Sequence, residues 1–338
     1  MRNRLDPSAQ PESARLKRLF PRLPFPLFSI YNKLTLNENY ISLATCPACS
    51  SPDISSFKKG TIDASGLDEH QIMITDSQYG KYWDMSICRV CGHVFANPCP
   101  RPEFLFQLYS RVEDPLYSAE AGGRAKNFVR ILECLGKAMP ERGRLFDVGA
   151  ATGILLDEAR NRGWETGGIE PSGWAVKTAR ARYGITLFQG AFEYAQLETD
   201  SWDAVTMIDI IEHTPLPFEA LSKARDILRP SGVLCLVTPD IHSLAARLAG
   251  KRWWHYRPGH LAFFSRRSLD AILKRVGFKA FMKRKYAWTF SVHYLLSRLP
   301  SLARLLKDSR PASILKRIPI KLALGDSFEI YARKDARG

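Results

Sequence analysis

Beyond Arg144 the chain alternates short apolar runs with amphipathic stretches. The runs at 145–148, 165–169, 185–188, 203–208 and 233–238 have strand length, and the segments between them repeat apolar residues at helical spacing. Helix limits are readable as well. Pro171-Ser172 precedes the helical stretch 175–182 and Gly184 follows it, 216–228 is stopped by Arg229-Pro230-Ser231-Gly232, and 269–276 is closed by Gly277. Strand-like 278–283 and 327–332 come last. Strands alternating with helices predict an α/β fold, a mostly parallel sheet with helices on both faces.

Upstream the pattern changes. Residues 101–140 place Phe104, Leu105, Leu108 and Tyr109 on one helical face and Phe128, Val129, Ile131 and Leu132 on another, with a turn at Asp114-Pro115-Leu116-Tyr117 between them. Such a linker can lie across a ligand cleft closed by Tyr117 or Arg124, although packing is the expected role of both. Residues 41–105 hold a polar stretch with the strand-like run Gln71-Ile72-Met73-Ile74. Residues 1–40 mix basic residues with prolines and aromatics, too proline-broken for a long helix. The segment 292–322, rich in Leu, Lys and Arg, reads as basic helices broken at Pro300 and Pro311, packed on the domain or set against a membrane surface or a partner. The chain thus divides into a basic arm (1–40), a cysteine module (41–105), a helical linker (106–140) and an α/β domain (141–335) carrying the basic insertion.

A chain of 338 residues with 45% hydrophobic content can bury one full α/β core and a smaller module. Its net charge of +15 attracts anions without saying whether they are nucleic acid, phospholipid or phosphorylated metabolite. No apolar run reaches bilayer-spanning length, and Met1-Arg2-Asn3-Arg4 leads into no signal-peptide core, so a cytoplasmic location is expected, with peripheral membrane contact through the basic segments as a variant. Four of the seven cysteines form two Cys-x-x-Cys pairs, Cys46 with Cys49 and Cys88 with Cys91. In a reducing compartment that spacing points to structural zinc, and Gly92 allows the tight turn beneath the metal. Buried free thiols or a redox pair are the rival reading. A closed four-Cys site leaves no coordination position for catalysis.

The stretch Phe146-Asp147-Val148-Gly149-Ala150-Ala151-Thr152-Gly153 ends the first strand on an acid and turns through two glycines into a helix, where free backbone N–H groups gather. It lacks Gly-x-Gly-x-x-Gly and any Gly-Lys-Ser/Thr. Asp147 would repel a pyrophosphate but suits a cationic amino-acid group. Glu170, closing the second strand, is placed to take the hydroxyls of a ribose. A ligand with an ammonium, a ribose and no phosphate is S-adenosylmethionine (SAM).

With Gly168-Ile169-Glu170-Pro171-Ser172, the run from Trp202 to His213 including Asp209-Ile210-Ile211-Glu212-His213, Leu236-Val237-Thr238-Pro239-Asp240 and His260-Leu261-Ala262-Phe263-Phe264-Ser265, this region resembles the class I SAM-dependent methyltransferases. It is similar to the branch holding ubiquinone-biosynthesis O-methyltransferases and bacterial sugar, antibiotic and cell-envelope methyltransferases. The resemblance covers about 125–290. It implies a seven-stranded, mostly parallel Rossmann-like sheet behind a small zinc-ribbon-like module. It also implies that Asp147, Gly149, Ala151 and Gly153 line the methionine end, that Glu170 meets the ribose, and that Gly190, Ala191 and Phe192 lie near the adenine. Members often place an acid or amide there, for which Gln189 is the candidate here; Asp209 is expected to face the cofactor pocket.

Methyl transfer to a hydroxyl needs alignment and a base. His260 and His213 are the candidates, because both belong to motifs at the C-terminal edge of the sheet. Trp253, Trp254, His255 and Tyr256 form an aromatic wall or a loop anchor. Nucleobase methylation is disfavoured, since Asp209-Ile210-Ile211-Glu212 stands where amino-methylating enzymes carry Asn/Asp-Pro-Pro-aromatic, and Cys235 and Cys99 are misplaced for a nucleophile. The expected acceptor is a small molecule, sugar or lipid-linked glycan, methylated at oxygen. The alternatives are an RNA-directed methyltransferase using the zinc module and basic arms, and a SAM- and zinc-binding protein without turnover.

Overall fold

The computed structural model describes residues 39–63, 67–75, 78–298 and 314–335. The arm at 1–38 and the centre of the insertion, 299–313, lie outside the described residues.

The cysteine module consists of β1 (Tyr40–Ile41), β2 (Ile54–Lys58), β3 (Met85–Cys88), β4 (Val94–Ala96) and β5 (Cys99–Pro100). β2, β3 and β4 pair antiparallel, and β1 pairs with β5. The run at 71–74 is not a strand. Glu69–Ile72 forms one turn of 3-10 helix instead, because the Asp68 carboxylate accepts from the backbone N–H of Gln71 and turns Ile72 into the core.

Three helices follow, α1 (Pro102–Arg111), α2 (Pro115–Ala119) and α3 (Ala121–Ala138). The turn expected at Asp114-Pro115 starts α2. Asp114 accepts from Tyr117 N at 3.0 Å as an N-cap, and Pro115 has the φ of a first helical residue.

The main sheet then unfolds in order: β6 (Arg144–Val148), α4 (Ile154–Arg160), β7 (Glu165–Glu170), α5 (Gly173–Tyr183), β8 (Phe188–Gln189), β9 (Trp202–Ile208), α6 (Pro217–Ile227) and β10 (Leu228–Pro239). After it come α7 (Leu244–Ala249), β11 (Ala262–Phe263), α8 (Arg266–Val276), β12 (Phe278–Lys285), β13 (Trp288–Ser291), α9 (Val292–Ser297), β14 (Pro319–Leu322) and β15 (Ser327–Lys334). The seven strands lie in the order β12-β15-β10-β9-β6-β7-β8. β15 runs antiparallel to both its neighbours and the other pairs are parallel, so the expected mostly parallel sheet is present. Helices cover both faces, which is why Leu145, Phe146, Ala204, Val205, Leu234 and Cys235 are all fully buried on successive strand positions.

Two features depart from the sequence reading. The insertion 292–322 begins as the short helix α9 but closes as strand β14, which pairs antiparallel with β13 from Trp288↔Leu322 to Ser291↔Pro319. Leu and Lys spacing suggested helix there because the partner strand at 288–291 went unread; once that partner exists, Pro319 opens the strand without losing a needed donor. In addition, β11 extends the cysteine module's sheet by pairing Ala262↔Phe95 and Phe263↔Val94. Trp83 Nε1 also donates to Pro258 O at 2.8 Å, so the module and the main domain are sewn together beside His260.

Candidate functional site

The glycine turn sits where β6 meets α4. Gly149, Ala151 and Gly153 all have positive φ, +68°, +46° and +80°, and Gly149 N and Ala150 N donate to Ile169 O, tying the turn to β7. A Cβ on Gly149 would lie 2.1 Å from Ile210 Cδ1. A side chain there is disfavoured by the left-handed φ and must displace Ile210. Glu170, at the end of β7, accepts from Ala151 N at 2.8 Å and Ser172 N at 2.9 Å. Asp147 stands directly opposite Thr206 of β9 and accepts from its hydroxyl at 2.6 Å.

A cavity of about 460 Å³ opens at the C-terminal ends of these strands. Gly149, Ala151, Glu170, Gly190, Ala191 and Asp209 line it. Asp147 and Gly153 are buried behind the wall. The pleat turns Asp147 toward β9 instead of the cavity. Gln189 is exposed and absent from the wall, whereas Glu193, held by Thr214 Oγ1 at 2.9 Å, lines it four residues later. Arg124 and Tyr117 both line the cavity, the guanidinium 3.7 Å from the ring centroid. Sequence reasoning assigned those two to packing; the Asp114 cap places Tyr117 at the start of α2, and Arg124 reaches the cavity from α3.

Burial pushes the carboxyls of Asp147, Glu170 and Asp209 each up to about 7. At Asp209 the Arg124 and Arg257 charges oppose that rise, and its Oδ1 has no hydrogen-bond partner. An orphan carboxylate oxygen, a second carboxylate pinned by two backbone donors and a glycine turn fit a ligand with a cationic group and vicinal hydroxyls, as SAM has.

Beyond Asp209 a second cluster closes the floor. Glu212, His213 and His260 bring one ligand atom each within 4.8 Å of one another. Glu212 accepts from Thr238 Oγ1 at 2.9 Å, while its Oε1 and His260 Nδ1 have no hydrogen-bond partner. His213 Nδ1 lies 2.8 Å from the Tyr109 hydroxyl, and the two imidazoles meet edge-on with centroids 4.7 Å apart. Burial, aided by the charge of Arg257, lowers His213 to about 3 and His260 well below its ordinary value; burial raises Glu212 well above its own. Both histidines are therefore neutral near pH 7. Such a cluster can share a proton or bind a divalent cation. Beside it Asp326 accepts from Trp254 Nε1 at 2.7 Å and lies 3.0 Å from His255 Nε2. Trp254, His255 and Asp326 line the cavity, and Trp253 is wholly buried.

The four module cysteines converge elsewhere. Their sulfurs lie within 4.8 Å of one another, 3.7 Å for Cys46–Cys91 and 3.5 Å for Cys49–Cys88. Tetrahedral Zn–S bonds of about 2.3 Å separate sulfurs by about 3.8 Å, so the four thiols fit zinc. Gly92 has φ +77° at the knuckle, and Arg275 of α8 donates to Ala48 O and Ser50 Oγ. None of the four cysteines lines the cavity.

Residues 121–281 match the model of a methyltransferase domain. The ubiquinone biosynthesis O-methyltransferase of Xanthomonas axonopodis pv. citri is 29% identical over 163 residues, covering 42% of this chain and 68% of that protein. Its counterpart from Alkalilimnicola ehrlichii is 31% identical over 108 residues, 30% of this chain and 43% of that protein. The crystal structure of a SAM-dependent methyltransferase from Thermotoga maritima is 22% identical, covers 62% of this chain and 89% of that one, and superimposes with a TM-score of 0.42. The glycine turn and the three buried carboxyls, Asp147, Glu170 and Asp209, all fall inside the matched span. Residues 121–281 thus form a methyltransferase domain similar to those of the class I SAM-dependent enzymes.

Proposed function

We propose that this enzyme methylates an oxygen atom of a small molecule, sugar or lipid-linked glycan. The observation that carries the reading is the cluster of Asp209, Glu212, His213 and His260, which lines the same cavity as Gly149 and Glu170 and as the apolar Trp288, Phe290, Tyr294 and Leu295. A hydroxyl attacks only as its proton leaves, so carboxylates within the cavity suit an oxygen acceptor.

Bound SAM supplies an electrophilic methyl group. Glu170 takes its ribose hydroxyls, Arg124 its carboxylate, Asp209 its ammonium edge and Glu193 the adenine rim. Asp147 acts from behind, fixing β6 against β9 through Thr206. The acceptor hydroxyl gives its proton to a carboxylate of the Asp209–Glu212 pair, and the neutral imidazoles of His213 and His260 orient it by hydrogen bonding. The histidines are thus positioning groups in place of the bases expected from the motifs, since a group lowered to about 3 is a weak base near pH 7. The Cys46, Cys49, Cys88 and Cys91 set holds structural zinc.

Incubation with methyl-labelled SAM and a fractionated lysate of the source cell tests the assignment. Label in an alkali-stable ether of a metabolite or glycolipid supports it. Label confined to RNA, with RNA affinity falling steeply as salt rises, would replace it with the nucleic-acid reading. SAM binding without turnover in any fraction would favour the non-catalytic one.

A further inference from the structure

The surface around the cavity mouth is both apolar and basic. Ile314, Ile318, Ile320 and Leu324 are 63%, 44%, 38% and 51% exposed, an unusual concentration for aliphatic side chains along one short stretch. Lys316, Arg317 and Lys321 are exposed among them, and no acidic residue occurs from Ile314 to Gly325. Lys285 packs its stem beside Gly325, adding a fourth cation. Leu322 and Leu324 of the same stretch line the cavity, so this strip is its rim.

A second strip adjoins it. Asp240 N donates to Asp326 O at 2.8 Å, joining the loop that leads into α7 to the end of the first strip. On α7, Leu244 and Leu248 are 67% and 79% exposed, with Arg247 between them and Lys251 and Arg252 just beyond, again without an acid from Ile241 to Arg252. Among the described residues no helix is long and apolar enough to cross a membrane. Aliphatic side chains interleaved with unopposed cations complement a surface that is anionic at the headgroup and apolar beneath it.

We propose that the strips 314–324 and 241–252 dock the enzyme on a bilayer carrying anionic lipid, with the cavity mouth facing the lipid. Ile318, Ile320, Leu244 and Leu248 enter the acyl boundary while Lys316, Arg317 and Lys321 meet the phosphates. That docking presents an amphiphilic acceptor to the site rests on the methyl-transfer reading; the docking itself does not.

Co-sedimentation of the full chain with vesicles of phosphatidylcholine, alone or mixed with phosphatidylglycerol, tests this. Binding is expected on the mixed vesicles, weakening as salt rises. Joint replacement Lys316→Gln, Arg317→Gln and Lys321→Gln should lower the partition coefficient roughly a hundredfold. Ile318→Ser with Ile320→Ser should lower it too, with thermal midpoint and SAM affinity retained in both variants. Equal binding to both vesicle types, indifference to these substitutions, or wild-type binding to RNA but not to vesicles would each overturn the proposal. Calorimetry of SAM binding on the same samples keeps the two readings apart, because its failure would strike the methyl-transfer reading and leave vesicle binding as measured.

Discussion

Gly149→Ala is expected to damage both the fold and the cofactor site, by an amount that follows from the geometry. At φ +68° an alanine carries a left-handed penalty of roughly 1–2 kcal/mol. Its Cβ would also lie 2.1 Å from Ile210 Cδ1, and moving that side chain off its rotamer costs about 0.5–1.5 kcal/mol more. The sum is about 1.5–3.5 kcal/mol. Ile210 follows Asp209, itself at φ +54°, so the displacement reaches the carboxylate that lines the cavity. Denaturant unfolding of the cofactor-free protein should show a loss of about 2 kcal/mol, and SAM affinity should fall about tenfold or more. Ile210→Ala in the same background should restore the steric share, about 1 kcal/mol, and leave the backbone share. A stability change under about 0.5 kcal/mol, or strict additivity of the two substitutions, would refute the reasoning.

Glu170→Gln keeps the shape but leaves an amide N–H₂ facing one of the two backbone donors, Ala151 N or Ser172 N, at a cost of about 1.5–3 kcal/mol. SAM affinity measured by calorimetry should drop at least tenfold, and an unchanged Kd would contradict the ribose assignment. Cys88→Ser should strip zinc, read by elemental analysis, and lower the thermal midpoint; a metal-free wild type of equal midpoint would sink the zinc assignment. With the Asp209 carboxyl raised to about 7, turnover should climb as pH rises through about 7 and then level off, and Asp209→Asn should remove that limb. Asp147 is raised from 3.8 to about 7, so its contribution to stability is full below about pH 4 and is lost as pH rises through about 7. The cofactor-free protein should therefore resist denaturant better near pH 5 than near pH 8, and Asp147→Asn should shrink that difference, with Glu170 and Asp209 carrying the rest.

Much of this architecture is written locally. The run Phe146–Gly153 combines an apolar strand, an acid and two glycines of positive φ, so the shape of the turn can be read from eight letters, whereas its ligand class needed Glu170 as well. α8 was explicit at its end, where Gly277 stops the helix in the left-handed region, while its start at Arg266, set by the Ser265–Ser268 capping box, lies three residues before the start read from the pattern.

What escaped the sequence depends on distant partners. β14 exists because Trp288–Ser291 pairs with it across a gap in sequence that contains α9. Glu193 outranks Gln189 at the cavity because Thr214 holds it there, a contact between residues 21 apart. The role of Asp147 was half legible: its acid character suits the cofactor, but the pleat and Thr206 set it behind the wall. The histidine motifs were found, but the burial beside Arg257 that lowers both imidazoles depends on distant packing that the motifs do not contain.

The central claim is methyl transfer to oxygen in the cavity above Gly149, and it is tested most directly by following an isotope-labelled methyl group from SAM by NMR in wild type, Asp209→Asn and Glu212→Gln. The account predicts a resonance of oxygen-bound methyl in wild type, strongly diminished in both variants when SAM is raised to saturate each of them. Label arriving on nitrogen or carbon, or undiminished transfer in both carboxylate variants, would contradict it.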